Sequence, residues 1–143
     1  PGQTSNHMSA AWDLLPTLTE IAGAEAPRDV DGISLLPELL GKEQPGHEFL
    51  YWEYYHYNWS WGRADHDGRP RNWLESRAVR YGKWKAVQTN VSSNESSSFE
   101  LYDLSVDIGE TRNIAADHPQ ILRKIEAYLS TCCTSSPYFP YTN

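Results

Sequence analysis

The chain has 143 residues, 39% hydrophobic and 22% charged, with 19 acidic against 12 basic side chains and a formal charge of −7. That length is enough for one domain with its own core. The acidic balance excludes a phosphate-backbone binder, which needs clustered Lys and Arg, and no apolar run reaches the ~20 residues of a membrane-spanning helix.

The opening Pro1-Gly2-Gln3-Thr4-Ser5-Asn6-His7 is polar and has no initiating Met, so it reads as the start of a piece cut from something longer rather than as a signal peptide. Ala11, Leu14, Leu15, Leu18, Ile21 and Ala22 then recur at helical spacing up to Gly23. The pattern predicts a helix over about 14–22, with Asp13 as N-cap, Pro16 in the first turn and extended chain before it. Asp31-Gly32 marks a turn. Ser34 then caps a short helix whose leucines 35, 36, 39 and 40 form one stripe, ending at Gly41.

Glu48–Glu53 is a strand candidate. Tyr54–Leu74 has no period and is dense in aromatics and charge, with Tyr54-Tyr55-His56-Tyr57-Asn58-Trp59-Ser60-Trp61-Gly62-Arg63 followed by Asp65-His66-Asp67-Gly68-Arg69-Pro70-Arg71. A structureless loop of that length inside a compact domain is uncommon and often functional. Arg77–Tyr81 and Trp84–Thr89 are strands joined by Gly82-Lys83, where glycine supplies the positive φ of a type II′ turn. Phe99–Asp103 is a third strand of this meander. Asp117, Pro119 and Gln120 announce a helix over about 118–130, whose face Ile121, Leu122, Ile125 and Leu129 closes the core. The predicted class is α+β, a small antiparallel sheet of about four strands packed by a C-terminal helix.

Chemistry is sparse. Asp65-His66-Asp67 has metal-ligating residue types, but neighbours in sequence rarely converge on one ion without distant partners. No G-x-S-x-G, P-loop or dinucleotide fingerprint occurs, and Asp103 and Asp107 suit turns better than catalysis. Adjacent Cys132 and Cys133 are in poor geometry for bridging each other, so they are free or pair outside this chain. Asn58, Asn90 and Asn94 each open an N-glycosylation triplet. Six Trp and nine Tyr fit burial or an exposed platform for sugar rings equally well.

The order of segments nevertheless resembles the later part of the sulfatase family, of the arylsulfatase or glycosaminoglycan-type exosulfatase kind. The resemblance runs through Asp13-Leu14-Leu15-Pro16-Thr17-Leu18, Asp31-Gly32-Ile33-Ser34-Leu35-Leu36-Pro37 and Leu50-Tyr51-Trp52-Glu53. It continues through 77–85, Glu100-Leu101-Tyr102-Asp103-Leu104, Glu110, Asn113-Ile114-Ala115 and His118-Pro119. It implies the C-terminal subdomain of an alkaline-phosphatase-like sulfatase fold. About 1–48 would be the end of the catalytic domain, and about 49–143 the antiparallel sheet and helix. It further implies a parent enzyme that hydrolyses sulfate esters with calcium and a formylglycine made from C/S-x-P-x-R, in a secreted, periplasmic or lysosomal setting. Cys132-Cys133-Thr134-Ser135-Ser136 is not that motif, and the family's metal and sulfate ligands precede this region.

The fragment is therefore expected to hold no catalytic and no metal residue and to be inert alone. It would support the catalytic domain of the same polypeptide and wall the cleft for a sulfated carbohydrate or aryl sulfate. By the resemblance, loops of this domain reach the pocket, which nominates His56, Arg63, His66, Arg69 and Arg71 as substrate-binding residues. Two rivals stand beside this reading. One is a stand-alone glycan-binding module, the other a phosphate or phosphonate ester hydrolase of the same superfamily.

Overall fold

The computed structural model describes residues 2, 4–57, 72–91 and 97–133, with 56, 57 and 72–74 described by their backbone alone. The chain divides into two compact units, Pro1–Leu50 and Tyr51–Asn143.

In the first unit, α1 spans Leu14–Ile21 and α2 spans Leu36–Leu39. The segment before α1 is not extended as expected but forms a 3-10 turn, Ala11–Asp13. Nor does the Asp13 side chain cap α1. Its carboxylate instead accepts the Ala10 N–H at 2.8 Å, satisfying the N-terminus of the 3-10 turn. Ser34 Oγ accepts the Leu36 N–H at 3.2 Å, one residue short of the expected cap register, because α2 begins at Leu36. Both helices end in glycines with positive φ, +67° at Gly23 and +71° at Gly41.

The second unit is built on a four-stranded sheet in the order β1-β2-β3-β4, with β1 at Phe49–Tyr57, β2 at Asn72–Tyr81, β3 at Trp84–Thr89 and β4 at Phe99–Asp103. The β2–β3 and β3–β4 pairs are antiparallel. Gly82 has φ +55°, while Lys83 does not cross to positive φ, which is the pattern of a type II′ turn. That two-residue loop fixes the register Tyr81↔Trp84, Arg80↔Lys85 and Val79↔Ala86. Because side chains alternate, Val79, Ala86 and Leu101 share one face, and all three are fully buried. Arg80, Lys85 and Tyr102 form a cross-strand row on the other face.

Helix α3, Pro119–Leu129, lies on the apolar face. The His118 ring sits 4.7 Å from that of Trp84, and Lys124 Nζ lies 3.2 Å from the Tyr81 hydroxyl. Ile125 and Leu129 are its buried positions. The helix starts one residue later than the capping-box pattern implies. Asp117 ends a preceding 3-10 turn, Ala115–Asp117, and His118 occupies the N-cap with no side-chain hydrogen bond. Beyond β4 the chain doubles back along the strand's outer edge. Asn113 Oδ1 accepts the Leu101 N–H at 3.1 Å, and the Ile114 N–H donates to the Leu101 carbonyl at 2.9 Å.

Candidate functional site

The first unit is organised by one buried carboxylate. Asp13 is fully buried, and besides the Ala10 N–H it accepts the Ile33 N–H and meets His47 Nε2, each at 2.8 Å. Burial pushes its carboxyl up, but the Ala10 and Ile33 donors and the His47 ring outweigh this and hold it below the usual carboxylate value. Thr17, also buried, donates to the Asp13 carbonyl at 2.6 Å and accepts the Leu35 N–H at 2.8 Å. Gly32 lets the two loops meet. A Cβ there would stand 2.2 Å from the Trp12 carbonyl oxygen. Among the described residues no buried side-chain N or O of this lock lacks a hydrogen bond, which is the pattern of a structural network.

On the polar face of the sheet lies an open cleft of about 440 Å³, lined by Trp52, Ala78, Arg80, Lys85, Leu104 and Glu110. Arg80 and Lys85 are direct cross-strand partners. Glu110 reaches back to Lys85 with a 2.6 Å ion pair while holding φ at +54°, an uncommon conformation for a residue with a side chain. The turn that holds it is tied by Asp107, whose carboxylate accepts the Thr111 and Arg112 N–H groups at 3.0–3.1 Å. Those donors keep the Asp107 carboxyl below its ordinary value. Asp103 likewise serves its turn, bonding Lys83 Nζ at 2.6 Å and the Ser105 N–H at 3.1 Å. In the same row Tyr102 donates to Glu100, and chiefly for that reason its phenol is pushed up to about 12.

A third group gathers around Glu53, whose carboxylate accepts the Tyr51 hydroxyl and lies 3.8 Å from Cys133 Sγ. The Cys132 and Cys133 sulfurs lie 2.8 Å apart with no bond between them, and both thiols are free. Burial, followed by the neighbouring Cys133, pushes the Cys132 thiol up to about 12, which opposes nucleophilic use at neutral pH.

Arg63, His66, Arg69 and Arg71 lie outside the described residues, as do Asn58 and Asn94 and the side chain of His56. Asn90 is exposed just after β3, with φ +56°. Among the described residues no three His, Cys, Asp or Glu side chains converge to hold a cation. Nor, among the described residues, is any helix long and apolar enough to cross a membrane.

Comparison with known proteins places this architecture. A four-stranded antiparallel sheet with one long helix, preceded by a polar-locked helical unit, is the C-terminal portion of a sulfatase of the alkaline-phosphatase-like fold. The chain belongs to the N-sulphoglucosamine sulphohydrolase C-terminal family, whose model matches residues 1–133. It is 33% identical over 127 residues to a Delta 4,5-hexuronate-2-O-sulfatase of Bacteroides thetaiotaomicron, covering 87% of this chain and 23% of that protein. A solved 2-O glycosaminoglycan sulfatase superposes with a TM-score of 0.66 at 28% identity, over 90% of this chain and 26% of the other. The phosphonate monoester hydrolase of Agrobacterium radiobacter gives 0.63 at 25% identity, over 96% and 29%. The chain thus spans about a quarter of the length of the curated relatives it matches.

Sequence reasoning missed the long-range role of Asp13, the partnership of His47 and the cleft. Half of the cleft was within reach, since a two-residue turn at Gly82-Lys83 by itself sets Arg80 opposite Lys85. Nothing local signals that Glu110 returns to Lys85.

Proposed function

We propose that these 143 residues are the supporting C-terminal part of an enzyme that hydrolyses sulfate esters of a sugar. In this reading residues of about 1–48 close the catalytic domain, and about 49–143 stand beside it and wall the substrate cleft. The observation that carries the supporting role is an uncovered apolar face. Leu14, Leu15, Leu18 and Ile21 of α1, with Leu39 and Leu40 at the end of α2, are between 48% and 66% exposed. Six large aliphatic side chains gathered in one small unit are an incomplete surface unless something covers them. The occupant is the catalytic domain of the same polypeptide, in keeping with a family match that spans only a quarter of its relatives' length.

The division of labour follows from the chemistry. Calcium and formylglycine, which supply the electrophilic assistance and the nucleophile, belong to the upstream domain. This chain's share is binding. The segment 54–73, with His56, Arg63, His66, Arg69 and Arg71, offers imidazole and guanidinium groups to anionic or hydroxyl groups of the substrate. Family membership and the glycan substrate named for a relative favour a sulfated carbohydrate, and the family resemblance adds a secreted, periplasmic or lysosomal compartment to the reading. One alternative keeps a specific observation in its favour. The superposition on a phosphonate monoester hydrolase covers 96% of this chain.

The test is turnover by the full-length protein. Release of sulfate from an aryl sulfate or a sulfated disaccharide, with no turnover by the 143-residue chain alone, is expected. Faster cleavage of a phenyl phosphonate monoester than of any sulfate ester would transfer the assignment to the alternative. Hydrolysis by the isolated chain would end the supporting-domain reading.

A further inference from the structure

The row Arg80–Lys85 contains an electrostatic anomaly. Two cations directly opposite each other on neighbouring strands repel and lower the stability of the pair. Only one of them is answered. Lys85 has Glu110 at 2.6 Å, at the cost of a left-handed backbone in that residue. Arg80 donates Nε to the neutral Gly82 carbonyl at 3.1 Å and has no carboxylate partner among the described residues. In a chain with a formal charge of −7 there is no shortage of anions to place there. The unanswered guanidinium instead lines a cleft of about 440 Å³, a volume suited to a small ligand, whose lining also includes Trp52, 39% exposed.

We propose that this cleft binds an acidic sugar residue, carboxylated or sulfated, whose anionic group takes the forked N–H donors of Arg80 while its apolar ring face lies against Trp52. A planar guanidinium matches carboxylate and sulfate oxygens two at a time, which an ammonium cannot do. An indole offers a broad, rigid contact surface beside polar groups. Glu110, already oriented by Lys85, adds an acceptor for a ring hydroxyl. The choice of a sugar rests on the reading of the parent as an enzyme of sulfated glycans. The anion preference rests on the cleft alone.

Direct binding to the full-length protein separates the two claims. By titration calorimetry, glucuronic acid and N-acetylglucosamine 6-sulfate are compared with neutral N-acetylglucosamine, for wild type, Arg80→Gln, Arg80→Lys and Trp52→Ala. The two acidic probes divide carboxylate from sulfate preference. At least one acidic sugar is expected to bind at least fivefold more tightly than the neutral one. Arg80→Gln should abolish that preference, Arg80→Lys should retain part of it, and Trp52→Ala should weaken the acidic sugar. Arg80→Lys keeps the charge without the fork, and so remains informative if the Gln variant folds poorly. Unchanged acidic-sugar binding in both Arg80 variants, or equal binding of neutral and acidic sugars, overturns the proposal even if sulfate ester hydrolysis is intact. Loss of acid preference in Arg80→Gln with no sulfatase turnover in wild type would keep the cleft and discard the enzymatic reading.

Discussion

The two units of this chain solve the problem of burial in opposite ways. The second encloses aliphatic side chains: Val79, Ala86, Leu101 and Ile125 are all fully buried between its sheet and α3. The first encloses the polar Asp13 and Thr17 beside Pro16, and leaves Leu14, Leu15 and Leu18 of α1 and Leu39 of α2 exposed. Apolar burial is nondirectional and gives stability in proportion to area. A hydrogen-bonded carboxylate gives less net stability but fixes geometry, because each donor must arrive from one direction. A unit that stands by itself needs the first device. A unit that must hold a particular surface ready for a neighbour is better served by the second.

This contrast can be broken most decisively in the second unit. Ile125→Ala removes a fully buried side chain from the face that α3 lays on the sheet, and a loss of about 3 kcal/mol is expected there. Native-state hydrogen exchange should show it in 77–89 and 99–129 while 11–39 keeps its protection. An equal loss across 11–39 would mean that the two units are not separate in energy.

A smaller effect, about 2 kcal/mol, is expected from Asp13→Asn, which keeps the shape but weakens the bonds to Ala10, Ile33 and His47. It also carries a pH signature. The folded carboxyl lies below its ordinary value of 3.8, so its stabilisation is complete above the unfolded value and is lost as pH falls through the folded one. Wild type should therefore lose exchange protection around 11–36 in acid below about pH 4, and Asp13→Asn should be flatter over that range. A variant as acid-sensitive as wild type would remove Asp13 from the account.

The smallest change in folding is expected at the surface. Leu14→Gln with Leu18→Gln should alter the stability of the 143-residue chain by no more than about 0.5 kcal/mol per site, since both side chains are more than half exposed. In the full-length protein the same pair should lower soluble yield and turnover, because the face it spoils is the one assigned to the catalytic domain. Normal yield and turnover there would sharpen the contrast in the other direction, making the leucines an ordinary solvated surface.

How far these features could be read in advance depends on the range of the interaction. The meander from 77 to 103 was legible because its signals are local, whereas 54–57 and 72–76, outside the strands read from the sequence, continue β1 and β2. Alternation in 77–81 and 84–89 and a glycine at the one position that demands positive φ fix strands, turn and register together. Helix α3 was legible through Ile125 and Leu129, although its start was misplaced, since Asp117 could equally well end a 3-10 turn. The role of Asp13 was not legible. An aspartate ahead of an apolar helix looks like an N-cap, and only the fold brings Ile33 and His47, 20 and 34 residues away, to the same oxygen. The cleft was legible by half, through its strand residues and not through Glu110. The residues nominated in 56–71 came from family resemblance and lie outside the described part.

The doubling back of Asn113 and Ile114 along β4 has a consequence for assembly. An exposed outer strand is a template on which a second copy can add its own, and the asparagine amide oxygen and the isoleucine amide occupy both hydrogen-bonding groups of Leu101 that such an addition would need. Growth of the sheet past this side is closed at its midpoint, so copies of the protein cannot be joined into a continuous ribbon through β4.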